Sequence, residues 1–361
     1  MKLSVDIYDS LEHISSGAYE SFFLKSGASL FYDWRFLLAA EYSPLLPVHG
    51  IYYLVVRHEN RIVAFLPAYL QKIKTVDPLG LLSKTAGLCD EGHDLGLFSH
   101  VMHCFDSVIP STAENVEAYS MLFDALATLA AQTGARYFGL LNVKDDTLLS
   151  VARDCGLRVN YMVDRFYFDL DGFKSFDQFV EELPAEGRRE MNRQLRKFST
   201  SGAQAHIVAP PFDEKLEQLA ELCHLTTAKN GTPQYFPTIP LGKFCRLCGD
   251  LVRLSLIEHE GHLISGLICF EEANTFHIWS AGMVYDRTDF SPYTISFATA
   301  YRYAFERNFQ RVEGGRLNAR IKTRLGLRPC RLHSITSADL SLNVAASHAL
   351  SDEHALHLAI V

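Results

Sequence analysis

The chain contains the same order of strands and helices twice. Residues 51 to 69 (IYYLVVRHENRIVAFLPAY) form two β-rich runs that meet at a short polar turn, a pattern typical of a β-hairpin. Residues 252 to 270 (VRLSLIEHEGHLISGLICF) repeat this pattern, so that residues 56 to 63 align with residues 257 to 264. The repetition indicates two structural units of one kind rather than one continuous fold.

The segments after the two hairpins also correspond. A long helix is predicted at residues 115 to 133 and again at residues 293 to 308, and each precedes a short strand, RYFGLLNV or FQRVEGG. Both halves then continue into a helix-sized segment that ends on a similar phrase, CGLR in the first half and LGLR in the second. Three matches in the same order predict an α/β protein with a mixed sheet, built as two domains of one topology.

The length of the chain agrees with two domains, because 361 residues exceed the size at which single cores usually stop growing. The phrase FYFDLDGFKSFDQFVEEL ends a predicted strand and begins a helix after Ser175. We therefore expect an N-terminal domain at residues 1 to 172 and a C-terminal domain at residues 173 to 361.

Charge and composition exclude several classes of protein. The net charge of −8 argues against a protein that coats nucleic acid, so an anionic ligand must bind at local basic clusters. The first residues contain acids where a signal peptide needs an apolar run, and no segment is apolar over the length of a bilayer. We expect a cytoplasmic protein without a transmembrane segment, whose eight scattered cysteines are reduced.

Two phrases of the second half resemble a known family. FYFDLDGFKSFDQFVEELPAEGRREMNRQLRKFSTSGAQ is similar to an aromatic strand, a short helix and an Arg-rich helix of FemAB-like and BioF2-like members of the GNAT (N-acetyltransferase-like) superfamily. SPYTISFATAYRYAFERNFQRVEGGRLNARIKTRLGLRP resembles their closing segment, with a Glu-Gly-Gly turn and a lysine in a basic helix. In the first half, HENRIVAFLPAYLQK is similar to their strand with the pattern "g.lvaa.PlYlk".

This resemblance implies a tandem duplicated GNAT-like fold and an acyltransferase activity. Such families transfer an acyl or aminoacyl group to an amine from aminoacyl-tRNA, acyl-CoA or a carrier-bound thioester, and they hold no permanent cofactor. It also implies that the N-terminal domain serves the acceptor, whereas the C-terminal domain binds the donor and carries the catalysis. Backbone N–H groups of a splayed strand, here Thr275–Met283, polarise the carbonyl in this fold.

The start of the second long helix is a candidate donor site. Ser291 suits the N-cap and Pro292 the first turn, so this helix N-terminus, with Thr294, is suited to bind phosphate or to serve as an ordinary cap. The preceding loop, residues 286 to 292, contains two acids and no glycine, whereas acetyl-CoA-binding relatives have a glycine-rich loop. This difference disfavours CoA and leaves room for a tRNA end or a carrier-bound donor.

Two basic segments are the other candidate donor-binding elements. Arginines and lysines recur at i, i+4 and i+8 in both, and would each lie along one face if the segments are helical. The second set is the stronger candidate, because it lacks the acids that precede the first and suggest a solvated face. The sets are Arg189, Arg193 and Lys197, and Arg316, Arg320 and Arg324.

Three residues of the second half are candidate catalytic groups. Within the resemblance, Lys322 matches the lysine of Fem-type aminoacyl transferases, and we expect an exposed ammonium that binds phosphate or stabilises charge on the reacting carbonyl. Glu313 is expected to orient the acceptor amine or to accept its proton. Tyr293 is expected to donate a proton to the leaving group.

The acceptor is expected to contact Asp90, Asp94 and Trp279, whose acids would attract an ammonium. The same part of the first half holds a loose group of metal-binding residue types, Cys89, Asp90, Glu91, His93, Asp94, His100, His103 and Cys104. Their spacing fits no standard zinc site, and we therefore predict no metal.

The sequence as a whole favours an amide-forming N-acyltransferase. The acceptor is the amine of a small molecule or amino acid, with a peptidoglycan precursor as one alternative, and the macromolecular partner is a tRNA or a carrier protein. Two other classes stay open at this point: a non-catalytic binding or regulatory protein on the same fold, and a zinc-dependent hydrolase.

Overall fold

The structure is a computed structural model that describes residues 3–99, 104–112, 116–232, 235–285 and 288–342. Its strands are β1 Leu3–Tyr8, β2 Gly50–His58, β3 Arg61–Lys72, β4 Leu95–Ser99, β5 Tyr137–Val143, β6 Arg158–Asp169, β7 Gln204–Val208, β8 Val252–His259, β9 His262–Glu271, β10 Thr275–Met283, β11 Arg311–Arg316 and β12 Arg328–Thr336. Its α-helices are α1 Ser16–Ser26, α2 Trp34–Tyr42, α3 Ile73–Val76, α4 Leu81–Ala86, α5 Val116–Thr133, α6 Asp146–Asp154, α7 Phe176–Glu182, α8 Ala185–Thr200, α9 Lys215–Lys229, α10 Thr238–Cys248, α11 Pro292–Glu306 and α12 Ala319–Arg324.

The chain forms two compact units. The second unit is Asp164–Cys330, and the first unit joins the chain before it to the chain from Arg331 onward. This division falls inside β6, whereas the predicted boundary at residues 172 and 173 follows the end of that strand, because the sequence shows only where the strand stops.

Each unit contains a sheet of six strands, and the strand arrangement is equivalent in the two units. In the first unit the strand order is β1-β2-β3-β4-β5-β12, and in the second it is β7-β8-β9-β10-β11-β6. In each unit the fourth and fifth strands of this order, β4 with β5 and β10 with β11, are parallel, and the other neighbouring strands of the two orders are antiparallel. The two hairpins have equivalent two-residue turns, with His58 paired to Arg61 and His259 paired to His262. The predicted duplication of a mixed α/β fold is confirmed.

The last strand of each sheet comes from the other half of the chain. β6 follows the helices of the first unit but pairs with β11, and β12 follows the helices of the second unit but pairs with β5. In the pairing of β12 with β5, His333 lies opposite Val143 and Ile335 lies opposite Leu140. Neither sheet is therefore completed by its own half of the chain.

A long helix covers each sheet and forms the core with it. In the first unit α5 buries Leu122, Phe123 and Leu126 against the sheet. In the second unit α11 buries Phe297 and Tyr301 against the sheet and against α7 and α8. Among the described residues, no helix is both long and apolar enough to cross a membrane.

Candidate active site

Two parallel strands of the second unit separate partway along their length. β10 and β11 pair only where Thr275–His277 lie beside Arg311–Glu313. Beyond these residues β10 continues beside β9 as far as Met283, whereas β11 continues beside β6 as far as Arg316. A V-shaped gap therefore opens between the carboxyl-terminal halves of β10 and β11.

Bulges change the backbone direction on both sides of this gap. In β10 the register with β9 shifts between Ile278 and Ser280, which leaves Trp279 outside the ladder. In β11 the register with β6 shifts between Glu313 and Arg316. Such bulges bend a strand and redirect its groups, and they are frequent beside active sites.

β10 directs backbone donors toward the gap. Val284 N donates to Ile264 O at 2.8 Å, so its N–H points toward β9. Because alternate residues of a strand direct their N–H groups to opposite sides, those of Ala281 and Met283 point away from β9. Met283 N donates to Thr226 Oγ1 of α9 at 3.1 Å. The Ala281 N–H is thus placed to meet a ligand in the gap.

A turn with two left-handed residues follows β11. Leu317 has φ 63° and Asn318 has φ 55°, a conformation that is costly for leucine and tolerated by asparagine. The Asn318 carbonyl accepts the backbone N–H groups of Ile321 and Lys322 at 3.1 and 3.0 Å, which begins α12. This turn folds α12 back toward the end of β11.

Lys322 is buried at this turn, with 4% of its surface exposed. Its Nζ donates to the Arg316 carbonyl at 2.5 Å and lies 5.6 Å from the centre of the Phe166 ring. Burial, together with the nearby Arg316 charge, lowers the pKa of the Lys322 ammonium to about 7. The expectation of an exposed lysine is wrong, because the turn folds its side chain against the protein.

Tyr293 approaches the same turn from α11. Burial raises the pKa of its phenol well above the usual value, and the nearby Asn318 side chain opposes this rise. Its ring packs on Phe297 with centroids 4.7 Å apart. Tyr293 and Lys322, two of the three predicted catalytic residues, thus both lie near the turn formed by residues 316 to 318.

The predicted N-cap of α11 is present. Ser291 Oγ accepts the Thr294 N–H at 3.3 Å and the Thr294 hydroxyl at 3.1 Å. Ser291 N itself donates to Oε1 of the buried Gln194 at 2.7 Å, which ties the start of α11 to α8. Gln194 carried no sequence signal, because nothing local distinguishes it from other polar residues of a basic helix. Asp286 and Arg287 of the preceding loop lie outside the described residues.

The basic residues of α8 are exposed and engaged within the second unit. Arg193 forms an ion pair with Glu190 at 2.7 Å, and Arg189 donates to the backbone of its own helix. Lys197 Nζ donates to the Asp289 carbonyl at 2.8 Å, in the loop before α11. The basic face of α8 therefore supports the loop before α11 and still presents positive charge to solvent.

The second basic set does not form a helix face. Arg316 ends strand β11, and α12 begins only at Ala319, so Arg316, Arg320 and Arg324 do not share one helix. Arg324 also has an acidic neighbour, Glu186 of α8, at 3.4 Å, which corrects the expectation that this set lacks acids. Arg320 is exposed.

Glu313 lies at the base of the gap, with 2% of its surface exposed. Its Oε1 is 3.3 Å from Arg165 Nη1 and 4.0 Å from Arg311 Nη1. Arg311 Nε also contacts Asp169 at 2.7 Å. Glu313 is therefore held in a buried ionic cluster where β10 and β11 begin to diverge.

The three predicted acceptor residues are not brought together in one unit. Trp279 lies in the second unit and is packed among the aromatic rings of Phe236, Phe244 and Phe270. Asp94 lies in the first unit and forms an ion pair with Arg136 at 2.8 Å. There too, Asp90 Oδ1 accepts the Gly92 N–H at 2.8 Å.

No cluster of metal-binding residues occurs in the part of the chain that the structure describes. His100 and His103 of the group considered above lie outside the described residues. Cys104 is buried, and its Sγ donates to the Asp106 carbonyl at 3.0 Å.

Comparison with known proteins identifies the family. A search of curated proteins finds no match. Solved structures with the same fold include FemX, with 11% identity, a TM-score of 0.60 and coverage of 96% of this chain and 99% of that chain. A tandem GNAT protein from the clavulanic acid biosynthesis pathway has 12% identity, a TM-score of 0.55 and coverage of 93% and 98%. The C-terminal domain of a putative lysylphosphatidylglycerol synthetase from Agrobacterium fabrum has 13% identity, a TM-score of 0.56 and coverage of 92% and 95%.

These likenesses show that the chain has the tandem GNAT fold. The family model for FemAB_like proteins, described as peptidoglycan biosynthesis/recognition, matches residues 107–358. This match includes the gap, the turn after β11 and both helices that meet there. The chain therefore belongs to the FemAB-like family.

Proposed function

We propose that this protein transfers an aminoacyl group from aminoacyl-tRNA to the amine of a small molecule, in the gap between β10 and β11. The chain is an acyltransferase of the FemAB-like family. The observation that carries the proposal is the convergence of Lys322 and Tyr293 on one turn beside this gap. A gap with a backbone donor, a buried ammonium and a phenol is suited to acyl transfer.

The reaction needs few side chains. The acceptor nitrogen attacks the carbonyl carbon, and the carbonyl oxygen gains negative charge that the Ala281 N–H and the Lys322 ammonium stabilise. The bond between the carbonyl carbon and the leaving oxygen then breaks, and the new C–N bond remains. The amine proton passes to the Tyr293 oxygen as the phenol proton passes to the leaving oxygen, so that Tyr293 is neutral again at the end of the step. Glu313 positions the base of the gap through its arginine partners.

Two observations support an aminoacyl ester over a CoA thioester as the donor, and a third concerns the acceptor. The loop before α11 has no glycine with which to approach a pyrophosphate closely. Arg189 and Arg320 are exposed in the same unit and offer charge to an extended polyanion. The description of the family supports an acceptor related to peptidoglycan precursors, which carry a free amine.

Donor discrimination tests the proposal. The purified protein is incubated with a peptidoglycan-precursor amine and either charged total tRNA or mixed acyl-CoAs, and new amides are detected by mass spectrometry. We expect product with charged tRNA and none with acyl-CoA. Product with acyl-CoA alone would overturn the donor assignment, and product with neither donor would favour a non-catalytic binding protein.

A matched pair of variants connects the activity to the gap. Lys322→Met should lower kcat by ~10²–10³-fold, because it removes a charge that stabilises the developing oxyanion. Lys174 is an exposed lysine of the same unit, and Lys174→Met is the control that should retain full activity. Equal activity of both variants would exclude Lys322 from the chemistry.

A further inference from the structure

The two strands that border the gap each lead to an exposed apolar side chain. Tyr285 lies two residues after the end of β10 and is 39% exposed, and Leu317 directly follows β11 and is 47% exposed. Ile321 of α12 is 42% exposed. Ligands of open α/β sheets bind outside the carboxyl ends of the strands, which is where these residues lie. The mouth of the gap therefore offers apolar surface to a ligand.

Lys229 of α9 adds a positive charge beside Tyr285. The Lys229 Nζ lies 3.2 Å from the centre of the Tyr285 ring, so the ammonium covers one face of this ring. Lys229 is itself exposed. The pair therefore presents an aromatic ring and an ammonium together to a ligand at the mouth of the gap.

α9 is fixed against β10, which gives this pair a defined place beside the gap. Thr226 Oγ1 accepts the Met283 N–H at 3.1 Å, and Lys229 lies three residues further along the same helix. Residues three apart are neighbours on a helix surface. Gly282 permits the close approach of α9, because a Cβ there would lie 2.5 Å from the Cys223 N. The same helix thus contacts the β10 side of the gap and carries the ammonium at Tyr285.

We propose that Tyr285 and Lys229 form the nucleotide subsite of the donor, in which the terminal base stacks on the Tyr285 ring and an adjoining phosphate binds the Lys229 ammonium. This inference rests on the proposed function. Aromatic rings bind bases by stacking, and a lysine ammonium binds phosphate as a point charge. The loop before α11 has no glycine with which its backbone could cradle a phosphate, so the contacts to the nucleotide come from side chains.

A titration followed by NMR tests the subsite without turnover. Protein with 3-fluorotyrosine at position 285 is titrated with the trinucleotide CCA, which is the 3′ end of tRNA, with the dinucleotide CC, and with coenzyme A. We expect CCA to move the ¹⁹F signal and CC to leave it nearly in place. An equal shift with CC would contradict stacking of the terminal base.

Coenzyme A distinguishes a failure of the subsite from a failure of the proposed function, because it also carries an adenine nucleotide. A shift with coenzyme A and none with CCA would keep the nucleotide subsite and overturn the assignment of aminoacyl-tRNA as the donor. A signal that stays constant with both ligands would overturn the subsite.

Kinetics of matched variants test the stacking contact. Tyr285→Leu should raise KM for charged tRNA by ~5–50-fold with kcat within about twofold of the native value, because lost stacking weakens binding without touching the reacting atoms. Tyr285→Phe keeps the ring and should keep the native KM. Tyr161 of the first unit is 40% exposed with the Arg331 guanidinium 4.8 Å from its ring centre, and Tyr161→Leu is the control that should leave KM unchanged. A native KM in Tyr285→Leu would overturn the stacking role.

Salt dependence tests the phosphate contact. Lys229→Met should reduce the slope of log KM against log salt concentration by about 0.7, which is the contribution of one phosphate contact in a single strand. Lys174→Met is the control that should keep the native slope. An unchanged slope in Lys229→Met would show that the ammonium contacts only the Tyr285 ring, and would overturn the phosphate contact.

Discussion

Single residues differ in how well their roles follow from the sequence. The N-cap at Ser291 follows from local chemistry, since a serine before proline at a helix start forms its bond within three residues. The burial of Lys322 does not, because it depends on a turn that reverses the chain and on Phe166, which lies far away in sequence.

The low pKa of Lys322 predicts a pH dependence of transfer. If its ammonium stabilises the oxyanion, kcat/KM should fall as the pH rises through about 7, because the ammonium is then lost. Lys322→Arg should move this fall to much higher pH, because a guanidinium stays protonated. The measurement is kcat/KM from pH 5.5 to 9. A rate that rises through pH 7 would instead assign Lys322 the role of a base.

The same residue predicts a dependence of stability on pH. The unfolded chain binds this proton up to about pH 10.4, whereas the folded chain releases it near pH 7, so Lys322 favours folding more as the pH rises between these values. Below pH 7 Lys322 stays protonated in the folded protein, and burial of its charge lowers the free energy of unfolding.

Lys322→Met should therefore stabilise the protein at pH 6 by ~1–3 kcal/mol, or about 2–10 °C in Tm, although it slows transfer. The gain should shrink toward pH 10. Thermal unfolding of Lys322→Met and of the exposed control Lys174→Met at both pH values checks this. If Lys322→Met unfolded at a lower temperature than the native protein at pH 6, the buried ammonium would not be destabilising.

At the scale of elements, the sequence predicted the two long helices, the hairpins and the basic helix α8. It placed Arg316 in a helix because the spacing to Arg320 and Arg324 fits one, whereas pairing of Arg316 with Arg165 extends strand β11 through that residue. The spacing of these arginines indicates only a local preference for helix. The strand pairing that overrides this preference is with β6, which lies more than a hundred residues earlier in the chain. The support that α8 gives to α11 and α12 is likewise a packing property.

Contact between α8 and α12 predicts the effect of one methyl group. A Cβ at Gly187 of α8 would lie 2.2 Å from the Arg324 carbonyl oxygen at the end of α12. Gly187→Ala should displace α12, move Lys322 and lower kcat by ~10-fold or more, with a loss of ~1–3 kcal/mol in stability. Gly17 of α1 has nothing within 4 Å of such a Cβ, so Gly17→Ala should leave both quantities nearly unchanged. Kinetics and thermal unfolding of the pair measure the contrast, and equal behaviour would show that α12 adapts freely.

At the scale of the whole molecule, the duplication could be read from the sequence, but the exchange of strands could not. β6 and β12 occupy equivalent places in the chain, because each follows a short helix that comes after an equivalent strand, β5 or β11. The choice of β11 as the partner of β6, and of β5 as the partner of β12, is a long-range property. Alternation of hydrophobic residues specifies which face of a strand is buried, without specifying which neighbour it pairs with.

This exchange predicts that the first unit does not fold without the end of the chain. A fragment of residues 1–163 lacks β12, and with it the buried Ile335 and the ion pair of Arg136 with Asp339 at 2.8 Å. It also exposes the edge of β5. We expect the fragment to aggregate or to show no cooperative unfolding by circular dichroism.

The matched fragment joins residues 331–342 to residue 163 through a short Gly/Ser linker. The Arg331 guanidinium lies 4.8 Å from the centre of the Tyr161 ring, so the two ends are near each other within the first unit. Because this fragment restores β12 in its register and returns Asp339 to Arg136, it should unfold cooperatively. Cooperative unfolding of the 1–163 fragment alone would mean that the first five strands and their helices bury enough apolar surface by themselves, and that β12 only extends a finished sheet.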